Sequence, residues 1–375
     1  MSPPHNSTMH SFEATLERGN SYSVTIGYDI ENETVEILRR AARSSRIAII
    51  ADTTTEKICR DGLMNKISSS GLSAGLYKFE PGEINKTQNE VTKLQHTLLD
   101  ENYDRDTLIV AFGGGVVGDL VGFVAATYMR GLRWVNIPTT VLAMVDSSIG
   151  GKVGIDTRQG KNMIGAFWPP CAVIMDLKYL EKLTSREIIN GLFEAVKTFL
   201  TSDANALMRA LSLDLQKPLE DHALLEDIIY TSAKFKAELT KRDPREENER
   251  RVLNFGHTVG HALELCSNYT LPHGYAVAYG ILVEAKISEL SGILSSTDCS
   301  EVFRTLAYFG IKPTDFPKYP IEKIIEATKG DKKMRGGIPH YVLLESIGSV
   351  YKKEGQFAHA IEDIVVKKAL ISLTK

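Results

Sequence analysis

Cysteine and tryptophan are scarce in this chain of 375 residues, four and two respectively, and neither sign of charge is in clear excess. Cys59, Cys171, Cys266 and Cys299 lie far apart and form no CxxC pair, so neither a disulfide framework nor a thiolate zinc site is indicated. Lys and Arg number 44 against 47 Asp and Glu, leaving a formal charge of -3. That balance argues against a nucleic-acid partner or an anionic membrane recognised through bulk charge. Any cationic chemistry must be local. The opening MSPPHNSTMHSF is polar, without the apolar core of a secretion signal, and no uninterrupted apolar run approaches the length of a membrane span. The expected location is cytoplasmic. Internal repeats and low-complexity segments are missing too.

What remains is the composition of an ordinary soluble protein, 43% apolar and 24% charged, in a chain longer than one hydrophobic core usually supports. From about residue 22 to 176 the short β-branched runs YSVTIG, RIAIIAD, TLIVAFGGG, RWVNIPTT and AVIMDL alternate with helical stretches such as GDLVGFVAATYMRG. Such alternation predicts an α/β layer with a mostly parallel sheet. After about residue 185 the apolar residues recur with helical period, in SREIINGLFEAVKTFL, from Leu224 to Lys241, from Thr258 to Cys266, in HGYAVAYGILVEAKISEL and in IEDIVVKKALISL. One late strand signal, PHYVLLES, covers residues 339–346. The predicted architecture is an α/β, Rossmann-like nucleotide-binding domain over residues 1–185 and a mainly α-helical domain over 186–375, with the cleft between them as the expected site.

Chemistry-bearing residues fall into four groups. In TLIVAFGGGVVGD, glycines follow an apolar strand and precede a helix, which lets backbone approach a ligand and turns the helix N-terminus toward a pyrophosphate. Asp52, ending RIAIIAD, can accept ribose hydroxyls, and PGEINK adds Glu83 and Lys86, so dinucleotide binding is preferred over a plain strand-to-helix turn. Between 130 and 162, Arg130, Asp146, Lys152, Lys161 and Asn162 are interspersed with glycines in a loop suited to a phosphorylated substrate. In INGLFEAVKT, Glu194 and Lys197 are three apart on a helix, as in a simple ion pair, yet Glu194 with His257 and His273 also makes a common ligand composition for catalytic zinc. The fourth group is NFGHTVGHALE, where His257 and His261 share a helix face and can reach a common ion, though the spacing alone does not require it. The densest charge run, KRDPREENERR at 241–251, reads by itself as a solvated loop.

Taken together, GGGVVGDLVGFVAATYMRG, VNIPTTVLAMVDSSIGGKVGIDTRQGKNMIGAFWPP, NGLFEAVKT, DPREENERRVLNFGHTVGHALE and LPHGYAVAYG resemble 3-dehydroquinate synthase, of the sugar-phosphate cyclase superfamily, from about residue 22 to the C-terminus. The resemblance implies an NAD-binding α/β domain, a helical metal-binding domain and a homodimer. It implies zinc, with cobalt as an alternative, on Glu194, His257 and His273, and moves His261 to the substrate and proton-transfer set. NAD is implied at Asp52, Glu83, Lys86, Gly114, Gly115, Val116, Asp119, Thr139, Thr140, Lys161 and Asn190. Implied substrate contacts are Arg130, Asp146, Lys152, Asn162, Lys197, Lys236, Arg250, Asn254, His261 and Lys332, with Arg130 reaching into the partner subunit's site. Of these, Lys152, Lys197, His261, Arg130 and Asp146 join Glu246 as the implied catalytic set.

Arg250 bears on the substrate. An arginine there suits a carboxylate, and relatives that cyclise sedoheptulose 7-phosphate, which has none, lack it. The implied reaction converts 3-deoxy-D-arabino-heptulosonate 7-phosphate to 3-dehydroquinate and phosphate by NAD-dependent oxidation, elimination, reduction and intramolecular aldol closure. One departure stands out: the family's HGE is His273, Gly274, Tyr275 here, so a neutral phenol replaces a carboxylate beside a ligand. Rival readings are a cyclase of secondary metabolism, a metal-dependent polyol or alcohol dehydrogenase, and a catalytically silent binding protein. Because the chain ends soon after the helical region, it is expected to be monofunctional although fused relatives exist.

Overall fold

The computed structural model describes residues 9–16, 21–329 and 338–374. Its chain divides into two compact units, Met1–Thr184 with Lys236–Lys241, and Ser185–Phe235 with Arg242–Lys375.

The first unit runs β1 (His10–Thr15), β2 (Ser21–Gly27), α1 (Glu31–Ala42), β3 (Ile47–Asp52), α2 (Thr53–Cys59), α3 (Asn65–Ser69), β4 (Ala74–Phe79), α4 (Gln88–Asp100), β5 (Leu108–Gly113), α5 (Gly115–Thr127), β6 (Trp134–Pro138), β7 (Lys152–Thr157), β8 (Gly160–Phe167) and β9 (Ala172–Asp176). Seven strands form one sheet in the order β1-β2-β9-β6-β5-β3-β4. Only β1 pairs antiparallel; the other neighbours are parallel, as the alternation of strands and helices predicted. The reason is visible in β3. Ile47, Ile49 and Ala51 point into one apolar layer with Val35 and Leu38 of α1, while Ala48 and Ile50 point into the opposite layer with Val91, Leu94 and Leu98 of α4. A strand buried on both faces must be apolar throughout, and each such isoleucine contributes roughly 1.5–3 kcal/mol by leaving water.

Two parts of this unit depart from expectation. The glycine-rich stretch after Asp146, expected as a loop, folds into an antiparallel hairpin of β7 on β8. Glycine makes the pairing tight: a Cβ on Gly165 would lie 2.3 Å from the carbonyl oxygen of Val153. The other departure is β1, an edge strand whose polar sequence HSFEAT carries little alternation and lies in the part outside the family resemblance.

The second unit is helical: α6 (Ser185–Ser202), α7 (Ala204–Ala210), α8 (His222–Arg242) apart from its residues Lys236–Lys241, α9 (His257–Cys266), α10 (His273–Leu290), α11 (Ser296–Tyr308), α12 (Ile321–Thr328) and α13 (Asp363–Thr374). At its centre lies α10, touching α6, α9, α11 and α13, which explains why it is apolar nearly all round. Its approach to α9 is limited by backbone alone, since a Cβ on Gly280 would fall 1.9 Å from the Gly256 carbonyl oxygen. Glu284, fully buried, accepts the Gly256 N–H at 2.8 Å and so holds the start of α9. The expected strand over 339–346 splits into β10 (His340–Tyr341) and β11 (Leu344–Ser346), paired with β13 (His359–Ala360) and β12 (Ser349–Val350) respectively. No described helix is long and apolar enough to cross a membrane. Cys59, Cys266 and Cys299 are buried and Cys171 is exposed, with no disulfide among them.

Asp176, at the end of β9, has no exposed surface, and its carboxylate accepts N–H groups from Asp29, Ile30 and Lys178 at 2.8, 2.9 and 3.0 Å. Burial pushes its pKa up to about 6 even though all three donors favour the ionised form. The native state therefore binds a proton that the unfolded chain, titrating near 4, has lost, so this residue's contribution to stability declines as pH rises from about 4 to 6. Asp176→Asn is expected to remove that decline, read as a smaller gap to the parent in denaturant midpoint at pH 7 than at pH 4.5; an equal gap at both would contradict it.

Candidate metal centre and active site

Glu194, His257 and His273 come from three different helices, α6, α9 and α10, and their donor atoms all lie within 4.8 Å of one another. His257 Nε2 stands 3.6 Å from Glu194 Oε1, and His273 Nε2 stands 3.4 Å from the same oxygen. Tetrahedral zinc with bonds of about 2.0–2.2 Å sets neighbouring donors about 3.4 Å apart, so the residues present fit such an ion in both chemistry and spacing. The other oxygen, Glu194 Oε2, takes Lys197 Nζ at 2.5 Å, both side chains being 1% exposed. The ion pair and the ligand readings of Glu194 thus describe two ends of one carboxylate.

His261 is near but differently placed. Its ring centroid lies 5.4 Å from that of His257 and 6.0 Å from that of His273, and it groups with Glu264 and His273 rather than with Glu194. The rings of His257 and His273 are both held from behind. His257 Nδ1 faces the Phe255 carbonyl oxygen at 3.3 Å, and His273 Nδ1 faces Glu264 Oε2 at 3.4 Å. Burial disfavours a proton on His273, yet Glu194 and Glu264 outweigh it and push the pKa up to about 10. The Tyr275 ring packs edge-on to Phe193, centroids 5.1 Å apart, with the Arg186 guanidinium 5.5 Å away.

In the first unit, β5 ends in the glycine turn and α5 follows with Gly114 as its N-cap. A Cβ at Gly114 would meet Thr140 at 3.4 Å, and one at Gly115 would meet the Ser147 hydroxyl at 3.0 Å, so side chains here would fill the ground before the helix. The first-turn N–H groups, Val116 among them, have no partner within the helix, the donor set a pyrophosphate needs. Thr139 donates its N–H to the Gly113 carbonyl, tying the end of β6 to that turn. Asp52 ends β3, next to β5, and its Oδ1 also caps α2 by accepting the Thr55 N–H at 2.7 Å. These residues fit a dinucleotide.

Beside them Lys86, 3% exposed, contacts Asp119 at 2.6 Å, Glu83 at 3.5 Å and the Asn162 side chain, while Lys161 lies 3.5 Å from Glu83. Burial works against the charge on Lys86, but Asp119 and Glu83 hold its pKa above the ordinary lysine value. Asn162, assigned to substrate by the resemblance, is therefore joined to the residues assigned to NAD. Lys236 reaches both the backbone and the carboxylate oxygen of Asp146 at 2.6 Å. Arg130 is exposed on a turn where Met129, Arg130 and Gly131 all have left-handed φ, and Lys152 is exposed at the start of β7. Asn190 belongs to the second unit, where its Oδ1 accepts the Gly274 N–H at 3.0 Å and so joins α6 to the start of α10.

The charge run is not a freely solvated loop. Asp243 accepts the N–H groups of Glu247, Asn248 and Arg250 at 2.9, 2.8 and 3.0 Å; against the effect of burial, these donors bring its pKa below the ordinary value. Arg250 is only 2% exposed and donates to the Pro244 carbonyl, and Glu246, with φ 57°, accepts from the Asn254 amide at 2.7 Å. Lys332 lies outside the described residues. Asp243, Glu264 and Glu284 escaped the sequence reading. Glu264 had a legible signal, three residues after His261 and seven after His257, the spacing of one helix face.

The models of the 3-dehydroquinate synthase N-terminal and C-terminal domains match residues 76–190 and 191–334. A pentafunctional AROM polypeptide of Zygosaccharomyces rouxii is 38% identical over 94% of this chain, which spans 24% of that relative's length. Two solved structures share the fold, each covering 96% of this chain and 99% of its own with a TM-score of 0.85. One is 2-deoxy-scyllo-inosose synthase complexed with carbaglucose-6-phosphate, NAD+ and Co2+, 24% identical. The other is 2-epi-5-epi-valiolone synthase of Streptomyces hygroscopicus subsp. jinggangensis with NAD+ and Zn2+ bound, 23% identical. With both domains of one enzyme matched in order and adjoining at residues 190 and 191, the chain belongs to the 3-dehydroquinate synthase family.

Proposed function

We propose that this chain is a 3-dehydroquinate synthase that converts 3-deoxy-D-arabino-heptulosonate 7-phosphate to 3-dehydroquinate and phosphate, with NAD and a divalent metal, zinc or cobalt, as resident cofactors. The observation that carries the reading is the convergence of Glu194, His257 and His273 in a chain of this family. The proposed domain roles are NAD binding for residues 1–185 and metal and substrate binding for 186–375. When bound, NAD supplies a reversible hydride acceptor and the metal a Lewis-acid charge beside the substrate oxygens.

The chain's own residues do the rest. Glu194 Oε1, His257 and His273 would hold the metal, and Lys197 neutralises the second Glu194 oxygen so that the carboxylate keeps one fixed orientation. The α5 amides with Gly114, Gly115, Val116, Thr139 and Thr140 receive the NAD pyrophosphate, and Asp52 a ribose. Glu83, Lys86, Asp119, Lys161 and Asn190 border that ligand. Lys152, Asn162 and Lys236 serve the substrate phosphate, with Lys332 in the same group; Asp146 holds Lys236 in place. Arg250 takes the substrate carboxylate, Asn254 keeps Glu246 oriented for proton transfer, and His261 handles substrate protons. The exposure of Arg130 supports its reaching the site of a partner subunit in a homodimer.

Three outcomes follow. Incubation with the heptulosonate phosphate should release phosphate only when NAD and metal are both present, with no NADH accumulating at 340 nm; steady NADH build-up would point to a dehydrogenase instead, and preference for sedoheptulose 7-phosphate to another cyclase. His257→Ala should lose bound metal and activity together, whereas His261→Ala should retain metal and lose turnover; metal loss from both would end the unequal assignment. Arg250→Lys should raise KM for the carboxylated substrate, lowering kcat/KM by the equivalent of roughly 1.5–3 kcal/mol, measured by steady-state phosphate release.

A further inference from the structure

The structure assigns to Glu264 the task of positioning His273 for the metal, a task that the sequence departure at Tyr275 would otherwise leave open. This inference rests on the proposed metal reading and concerns a residue outside the ligand set. The His273 ring is strung between two buried carboxylates, Nε2 at 3.4 Å from Glu194 Oε1 and Nδ1 at 3.4 Å from Glu264 Oε2. An imidazole has two nitrogens, and giving Nε2 to a cation requires the hydrogen to sit on Nδ1. Glu264 is placed to accept it, and with its side chain 4% exposed water hardly competes.

The parallel with the other ligand strengthens the case. His257 has the same need, and there the Phe255 carbonyl meets Nδ1 at 3.3 Å. One ligand histidine is therefore backed by the main chain and the other by a carboxylate from the neighbouring helix. Glu264 sits on α9 one face with His257 and His261, so the helix that contributes one ligand also orients the ligand of α10. Tyr275 packs its ring against Phe193 and Arg186, while the group that meets His273 Nδ1 is the Glu264 carboxylate. A carboxylate behind a ligating histidine fixes the tautomer, the ring plane and the basicity of the ligand nitrogen.

The test is zinc affinity of the full-length chain, measured in competition with a chromophoric chelator after removal of metal, with Co2+ absorption as a second readout. Glu264→Gln keeps an acceptor but loses charge and should weaken zinc about tenfold, and Glu264→Ala should weaken it toward a hundredfold. The visible Co2+ bands of Glu264→Gln should shift, the thermal midpoint of the metal-free variants should match the metal-free parent, and Tyr275→Phe should bind zinc as the parent does. Zinc affinity within about twofold of the parent in both Glu264 variants would overturn the inference, since losing such a partner costs at least tenfold. So would metal-free variants melting well below the metal-free parent, which would make Glu264 a purely structural residue. If the parent itself binds no zinc, the metal reading falls and this inference with it; if the parent binds zinc and the variants match it, only the inference falls.

Discussion

The contact on which the second unit depends is backbone against backbone, where α9 meets α10 at Gly256 and Gly280. A side chain at Gly280 would collide with the Gly256 carbonyl, so the two helices come as near as their main chains permit. Gly256 also has φ 78°, which turns the chain sharply into α9 with His257 as its first residue. Glu284 fastens that turn through the Gly256 N–H, and Asn190 fastens the start of α10, with His273 as its first residue, through the Gly274 N–H. Two histidines at two helix starts are thereby brought onto one oxygen of Glu194.

Electrostatics then divides the labour. A carboxylate buried to 1% exposure is costly unless its charge is answered, and Glu194 has Lys197 on one oxygen and two imidazoles on the other. Burial disfavours a proton on His273, but its hydrogen bonds to Glu194 and Glu264 outweigh that and raise its pKa. A divalent ion held by Glu194, His257 and His273 would answer the negative charge of Glu194. The first unit solves a similar problem with lysine, since Lys86 is buried against Asn162, Asp119 and Glu83, and the two carboxylates outweigh burial to hold its pKa above the ordinary value.

The charge run shows how a polar segment becomes ordered without an apolar core. Asp243 gathers three N–H groups, the chain folds round it, and Arg250 is drawn out of solvent onto a carbonyl oxygen. Charge density by itself reads as a solvated surface, because the local rule counts charges and cannot see which backbone donors converge on one of them.

Much of the fold was legible in the sequence, and for a physical reason: period-two and helical apolar patterns are local consequences of burying one or both faces of an element. The parallel layer, the helical second half and the glycine turn after β5 all follow from such patterns, and the long family motifs pointed to Glu194, His257 and His273, which the fold brings together. Segments without that pattern were not legible: the edge strand β1, the hairpin of β7 and β8 hidden under glycine and lysine, and the splitting of residues 339–346 between two partners. In NFGHTVGHALE the spacing put His257 and His261 on one face and stopped there. Which of them meets Glu194, that Glu264 stands behind His273, and that Tyr275 turns away to Phe193 were decided by tertiary structure alone, because each depends on a neighbour from another helix whose distance no local spacing encodes.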